Sequence, residues 1–516
     1  IAADGVVDIN GEQITFTGSE AVLLAGLGDA DTLTANVADA GTVDDQLSWT
    51  PNGDDGRFQL NSSTPIDYTS LETRTFSLGQ SVVGDAITVT GTANNDVATI
   101  VAGSGTTGVT LNGELATFNF DADNADTLTI NLGAGSDATT VTPSADMAIT
   151  VHGGDAGDDT LTIVSGATAT TVTETSATVS GTEATNFTGV ETVVVNGTGT
   201  LTLQGSASDD TVVISPTTLT GRINAGPVVS FPSVTTLTVD GQASSNDLVR
   251  IDGSASNDTI GVDRTTRAVT LASLTVTLAA ASEHLLVAAG AGDDTITITG
   301  TGGPTSLSVD AGSHITGDTL TVTNSTAGTT TVAPGATADA GTISTPDAPA
   351  NTNFFGVEAI TLTALAASDV LVVQGTNGPD AITYGANQVR VNDRAIVTLA
   401  TFGNLTLQGV AGDDRFTVTP SNGLAITVSG GDPAASDELL VQGTTSGETI
   451  AVDYAAGGTN GRITVGSLGA VTFDGTVETL TIDGQGGGDT LTVVDDGAGS
   501  VDDLFAITPG ATADSG

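Results

Sequence analysis

The sequence predicts an all-β fold, an elongated β-solenoid or parallel β-helix-like array of repeats. Short segments such as TLTIN, AITVH and TITIT alternate apolar residues with threonine, which is the pattern of a half-buried strand. Such segments recur about every 10 to 12 residues and are separated by Gly, Asp, Asn and Ser, which favour turns. No helical periodicity is sustained, and distant parts of the chain resemble one another.

Internal repeats divide the chain. The segment from Leu33 returns in degenerate form at Leu491, and a shorter repeat begins at Leu237, Ile360 and Leu480. We therefore expect the chain to be part of a longer array. The predicted divisions are the end of a preceding unit (1–75), a unit with an extra sub-repeat (76–236), two further units (237–359 and 360–479) and the start of another (480–516).

Phenylalanines a few residues ahead of the repeated strands favour the solenoid, because equivalent buried rings would stack between thin coils. The alternative is a row of tandem β-sandwich domains of about 120 residues, each anchored by one ring. Trp49 is expected to be a core residue. The phenylalanines in question are Phe16, Phe187, Phe231, Phe355, Phe402 and Phe473.

The composition is strongly acidic and free of cysteine. The chain has 61 acidic and 10 basic residues, a net charge of −51, and every basic residue is arginine. Such a surface repels nucleic acid and anionic lipid, so we expect no nucleic-acid partner. The absence of cysteine excludes disulfides and thiolate metal sites and fits an extracellular or cell-surface location. No apolar run is long enough to predict membrane insertion of this segment.

Two types of acidic turn recur. The first places Gly and Asp directly before a strand, as in GDAGDD from Gly154 and GAGDD from Gly290. The second has the form G-[ST]-x-x-x-[DE], as in GTANND from Gly91 and GTNGPD from Gly375. Carboxylates in a Gly-bent loop supply the oxygen ligands that Ca²⁺ prefers. The same residues can instead close the turns through Asx hydrogen bonds, with Gly supplying a positive φ, and both interpretations stay open.

The first turn type resembles the haemolysin-type calcium-binding repeats, whose G-G-x-G-x-D-x-U-x nonapeptides form a parallel β-roll. Here each copy is isolated by a strand, whereas the nonapeptides of that family run in tandem. The resemblance implies Ca²⁺ as a bound ion. It implies as metal ligands Asp29, Asp31, Asp137, Asp158, Asp159, Asp293, Asp294, Asp413, Asp414 and Asp489.

The chain as a whole is similar to the long Gly-, Thr- and Asp-rich repeat proteins of bacterial surfaces, which implies an S-layer, adhesin or filament component. We therefore expect a non-enzymatic extracellular structural protein that assembles with copies of itself into a surface layer or filament stabilised by divalent cations. The alternative is an adhesin stalk that presents a binding domain outside this segment. A β-helix carbohydrate-active enzyme is a minor third alternative, because aromatic residues make up only 3% of the chain.

The remaining candidate residues carry weaker signals. The three histidines, His152, His284 and His314, lie near strand ends without a recurring partner motif, so we expect them to be solvated or to pack in turns. Glycans and cell-envelope components are the further partners considered. Candidate N-glycosylation sequons occur at Asn61, Asn186, Asn196, Asn257, Asn324 and Asn404.

Overall fold

A computed structural model describes residues 3–9, 12–19, 22–26, 31–36, 45–61, 63–78, 84–120, 126–432, 436–454 and 460–494. Every regular element in these residues is a β-strand, and no helix occurs among them. Most strands pair in parallel with a strand of the preceding or following coil. This coil-to-coil pairing confirms the predicted all-β solenoid, because sandwich domains would pair their strands antiparallel.

The strands are short, mostly of four to seven residues, which matches the spacing of the apolar–threonine segments. The first are β1 (Ala3–Ile9), β2 (Glu12–Ser19), β3 (Val22–Ala25), β4 (Thr32–Asn36), β5 (Gln46–Asn52), β6 (Asp55–Leu60), β7 (Ile66–Thr69), β8 (Thr73–Ser77), β9 (Ala86–Thr90), β10 (Val97–Gly103), β11 (Thr106–Leu111), β12 (Glu114–Asn119), β13 (Asp126–Asn131), β14 (Ala138–Thr142), β15 (Met147–His152), β16 (Thr160–Gly166) and β17 (Thr170–Val172). Next are β18 (Ser176–Val179), β19 (Thr185–Thr188), β20 (Thr192–Gly197), β21 (Leu201–Gln204), β22 (Thr211–Ser215), β23 (Thr220–Ile223), β24 (Val228–Ser230), β25 (Thr236–Asp240), β26 (Leu248–Ser254), β27 (Thr259–Asp263), β28 (Ala268–Leu271), β29 (Leu274–Leu278), β30 (His284–Gly290), β31 (Thr295–Thr299), β32 (Ser306–Asp310), β33 (Thr319–Thr323) and β34 (Thr329–Pro334). The last are β35 (Gly341–Ser344), β36 (Thr352–Phe355), β37 (Ala359–Thr363), β38 (Val370–Gln374), β39 (Ala381–Gly385), β40 (Gln388–Val391), β41 (Ile396–Ala400), β42 (Asn404–Ala411), β43 (Arg415–Val418), β44 (Ala425–Asp432), β45 (Glu438–Gln442), β46 (Thr449–Tyr454), β47 (Gly461–Val465), β48 (Val471–Phe473), β49 (Thr479–Asp483) and β50 (Thr490–Val494).

The chain divides into two compact units, residues 1–253 with 268–285 and residues 254–267 with 286–516. Within each unit the chain alternates between two sheets. In the first unit one sheet runs β8, β12, β11, β10, β14, β16, β20, β24, β23, β22, β26. In the second unit the other sheet runs β27, β31, β33, β37, β41, β40, β39, β43, β45, β49.

Three-stranded antiparallel meanders interrupt the parallel stack in both sheets. In the meander β10–β11–β12, strand β12 pairs in parallel with the earlier β8, and strand β10 pairs in parallel with the later β14. The same arrangement occurs in β39–β40–β41, where β41 pairs with β37 and β39 with β43. Each meander therefore occupies three adjacent positions in its sheet, so it lengthens the stack without breaking it.

The core is a series of aliphatic rows that run across the strands. Ile100, Val141, Ile163 and Val195 occupy paired positions on β10, β14, β16 and β20, and all four are buried. Threonines at the alternate positions, such as Thr140 and Thr162, are only partly buried, whereas Thr139 takes an inward position and is buried. Burial of each aliphatic side chain contributes roughly 1.5–3 kcal/mol, so the rows hold successive coils together.

The predicted stack of phenylalanine rings is not found in the described residues, because no ring contact there joins two of these phenylalanines. Phe187, Phe231, Phe402 and Phe473 are buried as expected, whereas Phe16 has a side chain outside the described set. The prediction for Phe355 is wrong. That ring is 50% exposed, because the alternation of β36 turns the neighbouring Phe354 inward instead.

A ring cluster in the first unit provides the closest aromatic packing. Phe76 lies 5.4 Å from Phe118 in a stacked pair and 5.3 Å from Phe58 edge to face. Trp49 is fully buried beside them, and its indole Nε1 donates a hydrogen bond of 2.8 Å to Tyr68 Oη. Trp49 is therefore a core residue, as the sequence predicts, with its polar atom satisfied.

Candidate functional site

Acidic residues at the heads of the strands form hydrogen-bonded columns that we call carboxylate ladders. In one ladder the backbone N–H of Asp96 donates to Asp137 Oδ1 at 2.6 Å, and the N–H of Asp137 donates to Asp159 Oδ1 at 2.8 Å. The N–H of Asp159 then donates to Glu191 Oε2. Every carboxylate after the first thus accepts a backbone hydrogen bond from the preceding coil, so the ladder links consecutive coils at one edge of the sheet.

The same bond, with N···O distances between 2.6 and 3.3 Å, recurs in both units. The ladders of the described residues are Asp31 with Glu72; Asp45, Asp85 and Asp126; Asp96, Asp137, Asp159 and Glu191; Asp210, Asp247 and Glu283; Asp258, Asp294, Asp318 and Glu358; Asp380, Asp414, Asp437 and Glu478; and Glu448 with Asp489.

The second type of acidic turn begins several of the ladders. In the turn from Gly375, the N–H of Thr376 donates to Asp380 Oδ2 at 2.6 Å, and its hydroxyl donates to the same carboxylate. Asn392 completes the start of this ladder, because its Nδ2 donates to Asp380 Oδ1 and its Oδ1 accepts the N–H of Ala381. Asn392 has a φ of 51°, a conformation that Asn tolerates better than most residues.

Glutamates that follow a valine end three of the ladders. Glu191, Glu358 and Glu478 each precede a strand, and each accepts the N–H of the last aspartate in its column. Their longer side chains reach back to the previous coil. The backbone of these turns also differs from that of the aspartate turns: the N–H groups of Glu358 and Ala359 both donate to the carbonyl of Asp318, whereas an aspartate turn donates one such bond.

Glycine makes room for the second oxygen of many ladder carboxylates. An added Cβ on Gly409 would lie 2.0 Å from Asp414 Oδ2, and one on Gly430 would lie 2.1 Å from Asp437 Oδ2. The same relation joins Gly91 to Asp96. The recurring Gly–Asp spacing therefore has a steric cause, since the carboxylate rests against a backbone that has no side chain.

Many of these second oxygens are buried without a hydrogen-bond donor. In the described residues they include Oδ2 of Asp137, Asp247, Asp294, Asp318, Asp414 and Asp437. Desolvation raises the pKa of each of these carboxyls, and it raises the pKa of Asp414 from the ordinary 3.8 to about 6. The backbone hydrogen bond on Oδ1 acts in the opposite direction but is the smaller effect.

The aspartates predicted to bind calcium divide into two groups. Those directly before a strand, which are Asp31, Asp137, Asp159, Asp294, Asp414 and Asp489, are all ladder members. Asp158, Asp293 and Asp413 instead precede a ladder residue and point away from the core, and Asp29 lies outside the described residues. Calcium binding by either group stays a prediction.

The outward aspartates contact the next turn of the stack. The Asp293 carboxylate accepts hydrogen bonds from the N–H groups of Ile315, Thr316 and Gly317 and from the Thr316 hydroxyl. These bonds hold the pKa of Asp293 well below its usual range. Asp413 accepts a bond from the Ser436 hydroxyl in the same way. Outward carboxylates therefore also join coils, but from the solvent side.

Within the part of the chain that the structure describes, one group of three potential ligand side chains has its ligand atoms within 4.8 Å of one another. It consists of His314, Asp318 and Glu358, at the end of a ladder in the second unit. None of the ten predicted calcium ligands belongs to it. Sequence reasoning missed this group because Glu358 lies 40 residues after Asp318. The recurring Val–Glu pair directly before a strand, here Val357 and Glu358, was the one sequence signal that could have indicated the position of the glutamate.

The other histidines have ordinary polar partners, since His152 Nδ1 is 2.6 Å from Thr188 Oγ1 and His284 Nε2 is 3.2 Å from Asn246 Oδ1. The sequons also differ in accessibility. Asn186, Asn196 and Asn257 are exposed, whereas Asn324 is buried and donates to Thr330 Oγ1. Both side-chain atoms of the exposed Asn61 bond to the turn at Asp45, and the half-buried Asn404 contacts the turn at Ala367.

The described residues contain no helix of the length and hydropathy that a membrane span requires. Comparison with known proteins gives no assignment either: no protein-family model matches the chain, and no curated protein matches its sequence.

Proposed function

We propose that the chain is a non-enzymatic, extracellular structural segment of a bacterial surface layer or filament that assembles with copies of itself. The carboxylate ladders are the observation that supports this proposal. They place the buried acidic side chains in bonds between coils, as in the contact of Asp137 with Asp96. A catalytic carboxylate needs contact with substrate, whereas these oxygens are buried between coils and contribute cohesion.

Divalent cations, with calcium as the reference ion, are the proposed trigger of assembly. A chain with a net charge of −51 repels its own copies at low ionic strength. Ions that bind to outward carboxylates such as Asp158 and Asp413 would reduce this repulsion and bridge neighbouring chains. The exposure of both residues makes them better candidates for bridging than the buried ladder aspartates.

Electron microscopy of the purified chain tests the proposal. We expect ordered sheets or fibres in millimolar calcium and separate particles after chelation. A variant with Asp158→Asn and Asp413→Asn should need more calcium, and a matched variant with Asp209→Asn at another outward position tests whether the effect is local. Separate particles under every condition would contradict self-assembly and favour the stalk that presents a binding domain.

A further inference from the structure

We propose that His314, Asp318 and Glu358 form a binding site for one divalent first-row transition-metal ion, with Zn²⁺ as the reference ion. The site contains none of the ten aspartates predicted to bind calcium, and its role is separate from the assembly role proposed above. His314 and Asp318 belong to the turn between β32 and β33, and Glu358 directly precedes β37 in the next coil. A bound ion would therefore connect two successive coils of the second unit.

The three ligand atoms lie close to coordinating positions. His314 Nδ1 is 3.2 Å from Glu358 Oε2 and 3.8 Å from Asp318 Oδ2. Zinc bonds of about 2.0–2.2 Å to nitrogen and oxygen place tetrahedral ligand atoms about 3.4 Å apart. Small side-chain adjustments would bring all three atoms onto one ion.

Asp318 supplies a buried oxygen without a donor, as several other ladder aspartates do, but this oxygen also faces a histidine. The residue is fully buried, and its Oδ1 accepts the N–H of Asp294 at 2.7 Å. Its Oδ2 has no hydrogen-bond donor and faces His314 at a distance too long for a hydrogen bond. A buried carboxylate oxygen without a donor is costly, and a cation at this point would satisfy it.

The turn that carries His314 is held in place before any ion binds. The Asp293 carboxylate accepts the N–H groups of Ile315 at 2.9 Å and of Thr316 at 2.7 Å, directly after the histidine. Glu358 Oε2 is fixed in turn by the N–H of Asp318 at 2.7 Å. Such supporting bonds orient metal ligands and raise affinity. His314 is itself 35% exposed, so a further coordination position can open to solvent.

The ligand set selects the class of ion. Calcium and magnesium prefer all-oxygen sites, whereas an imidazole nitrogen with two carboxylates suits zinc, cobalt, nickel or manganese. The ladder that ends at Glu478 has the same buried aspartate and terminal glutamate, in Asp437 and Glu478. Within the described residues no histidine joins that pair. It therefore provides a matched control inside the same unit.

Calorimetric titration of the purified chain with zinc chloride tests the site. Sodium chloride at about 0.15 M is present to screen weak binding to exposed carboxylates, and calcium is left out so that the chain stays unassembled. We expect one tight binding event per chain. His314→Ala and Glu358→Gln should each weaken it by at least about tenfold, because each removes a direct ligand. Glu478→Gln should leave it unchanged. Cobalt absorption in the visible range should show the nitrogen-containing site in the wild type and lose it in His314→Ala.

Two results would overturn the proposal. One is the absence of a tight zinc event in the wild-type chain. The other is equal zinc affinity in the wild type and in His314→Ala, whose exposed side chain can be removed without opening the core. Circular dichroism of each variant without zinc confirms the fold, and if Glu358→Gln unfolds, His314→Ala decides. Assembly in the microscope is measured separately, so either proposal can fail alone.

Discussion

A ladder aspartate such as Asp414, inside its column, accepts a backbone hydrogen bond on one carboxylate oxygen and buries the other away from water and donors. In Asp414 the first oxygen accepts the N–H of Asp380 at 2.8 Å, while the second is buried without a donor. The bond favours the charged carboxylate, and desolvation opposes it more strongly. The hydrogen bond therefore holds two coils together, but the folded chain loses the solvation that the charged carboxylate has in the unfolded chain.

This conflict predicts an unusual pH dependence. The pKa of Asp414 is raised from 3.8 to about 6 in the folded chain, so the folded state binds the proton more tightly than the unfolded state. Its contribution to the free energy of unfolding is complete below about pH 4 and is lost as the pH rises through about 6. The thermal unfolding temperature of the wild type should therefore fall between pH 4 and pH 7.

Asp414→Asn isolates this effect, because the amide keeps the acceptor for Asp380 but cannot ionise. The variant should show a shallower fall of the unfolding temperature over the same pH range. Asp413→Asn, at the exposed neighbouring position, should change the wild-type slope much less, because the charge of Asp413 makes the smallest contribution to the raised pKa of Asp414. A wild-type unfolding temperature that rises from pH 4 to pH 7 would contradict the raised pKa.

Turns combine a glycine and an aspartate because the aspartate carboxylate fills the space that a side chain at the glycine would need. The carbonyl of Gly430 lies beside Gly409, and an added Cβ there would meet this oxygen at 2.3 Å as well as Asp414 Oδ2. The Gly409 backbone does not have a positive φ, so the restriction is steric and not conformational.

Gly409→Ala should therefore destabilise the second unit by roughly 1–3 kcal/mol, as overpacking does in cores. Gly378→Ala is the matched control, since an added Cβ there would have only Thr376 Oγ1 near it, at 4.0 Å, and the cost should be below about 0.5 kcal/mol. Chemical denaturation of both variants measures the difference. Equal stabilities would show that the turn adjusts without cost.

The strands were predictable because their signal is local. Alternation of apolar residues with threonine fixes which side chains face the core, as in β16 and β31, and needs no knowledge of pairing. Phe355 shows the limit of this reasoning, because two adjacent rings fit either face and the register of β36 decides between them. The meanders were not predicted, since an antiparallel return and a parallel coil use the same alternation.

The ladders could be predicted only in part. Gly–Asp turns were recognisable as repeats, but the partner of a carboxylate lies 22 residues away in Asp137 and Asp159 and 41 residues away in Asp96 and Asp137. Such variable spacing hides the pairing from any motif. The group at His314 was missed for the same reason, because its third member is in the next coil.

The whole chain carries far more negative charge than its ladders bury. With 61 acidic residues against 10 basic ones, repulsion among exposed carboxylates opposes the compact state. Salt screens this repulsion, since the Debye length falls from about 30 Å at 0.01 M to about 8 Å at 0.15 M. Monovalent salt should therefore stabilise the protein even where no ion binds specifically.

We expect the thermal unfolding temperature to rise by several degrees between these two ionic strengths. Sodium chloride and choline chloride should have the same effect at equal ionic strength, because screening does not depend on the identity of the cation. Differential scanning calorimetry at constant pH measures the shift. An unfolding temperature that is independent of salt would mean that exposed charge does not limit stability.

Amide hydrogen exchange tests most directly whether buried carboxylates join the coils. The Asp96 amide donates to Asp137 Oδ1 at 2.6 Å and should exchange slowly in the wild-type chain. Asp137→Ala removes this acceptor, so exchange at Asp96 should become faster by at least about tenfold, whereas Asp158→Ala should leave it unchanged. A fast-exchanging Asp96 amide in the wild type, or equal protection in Asp137→Ala, would contradict a cohesive role for the ladders.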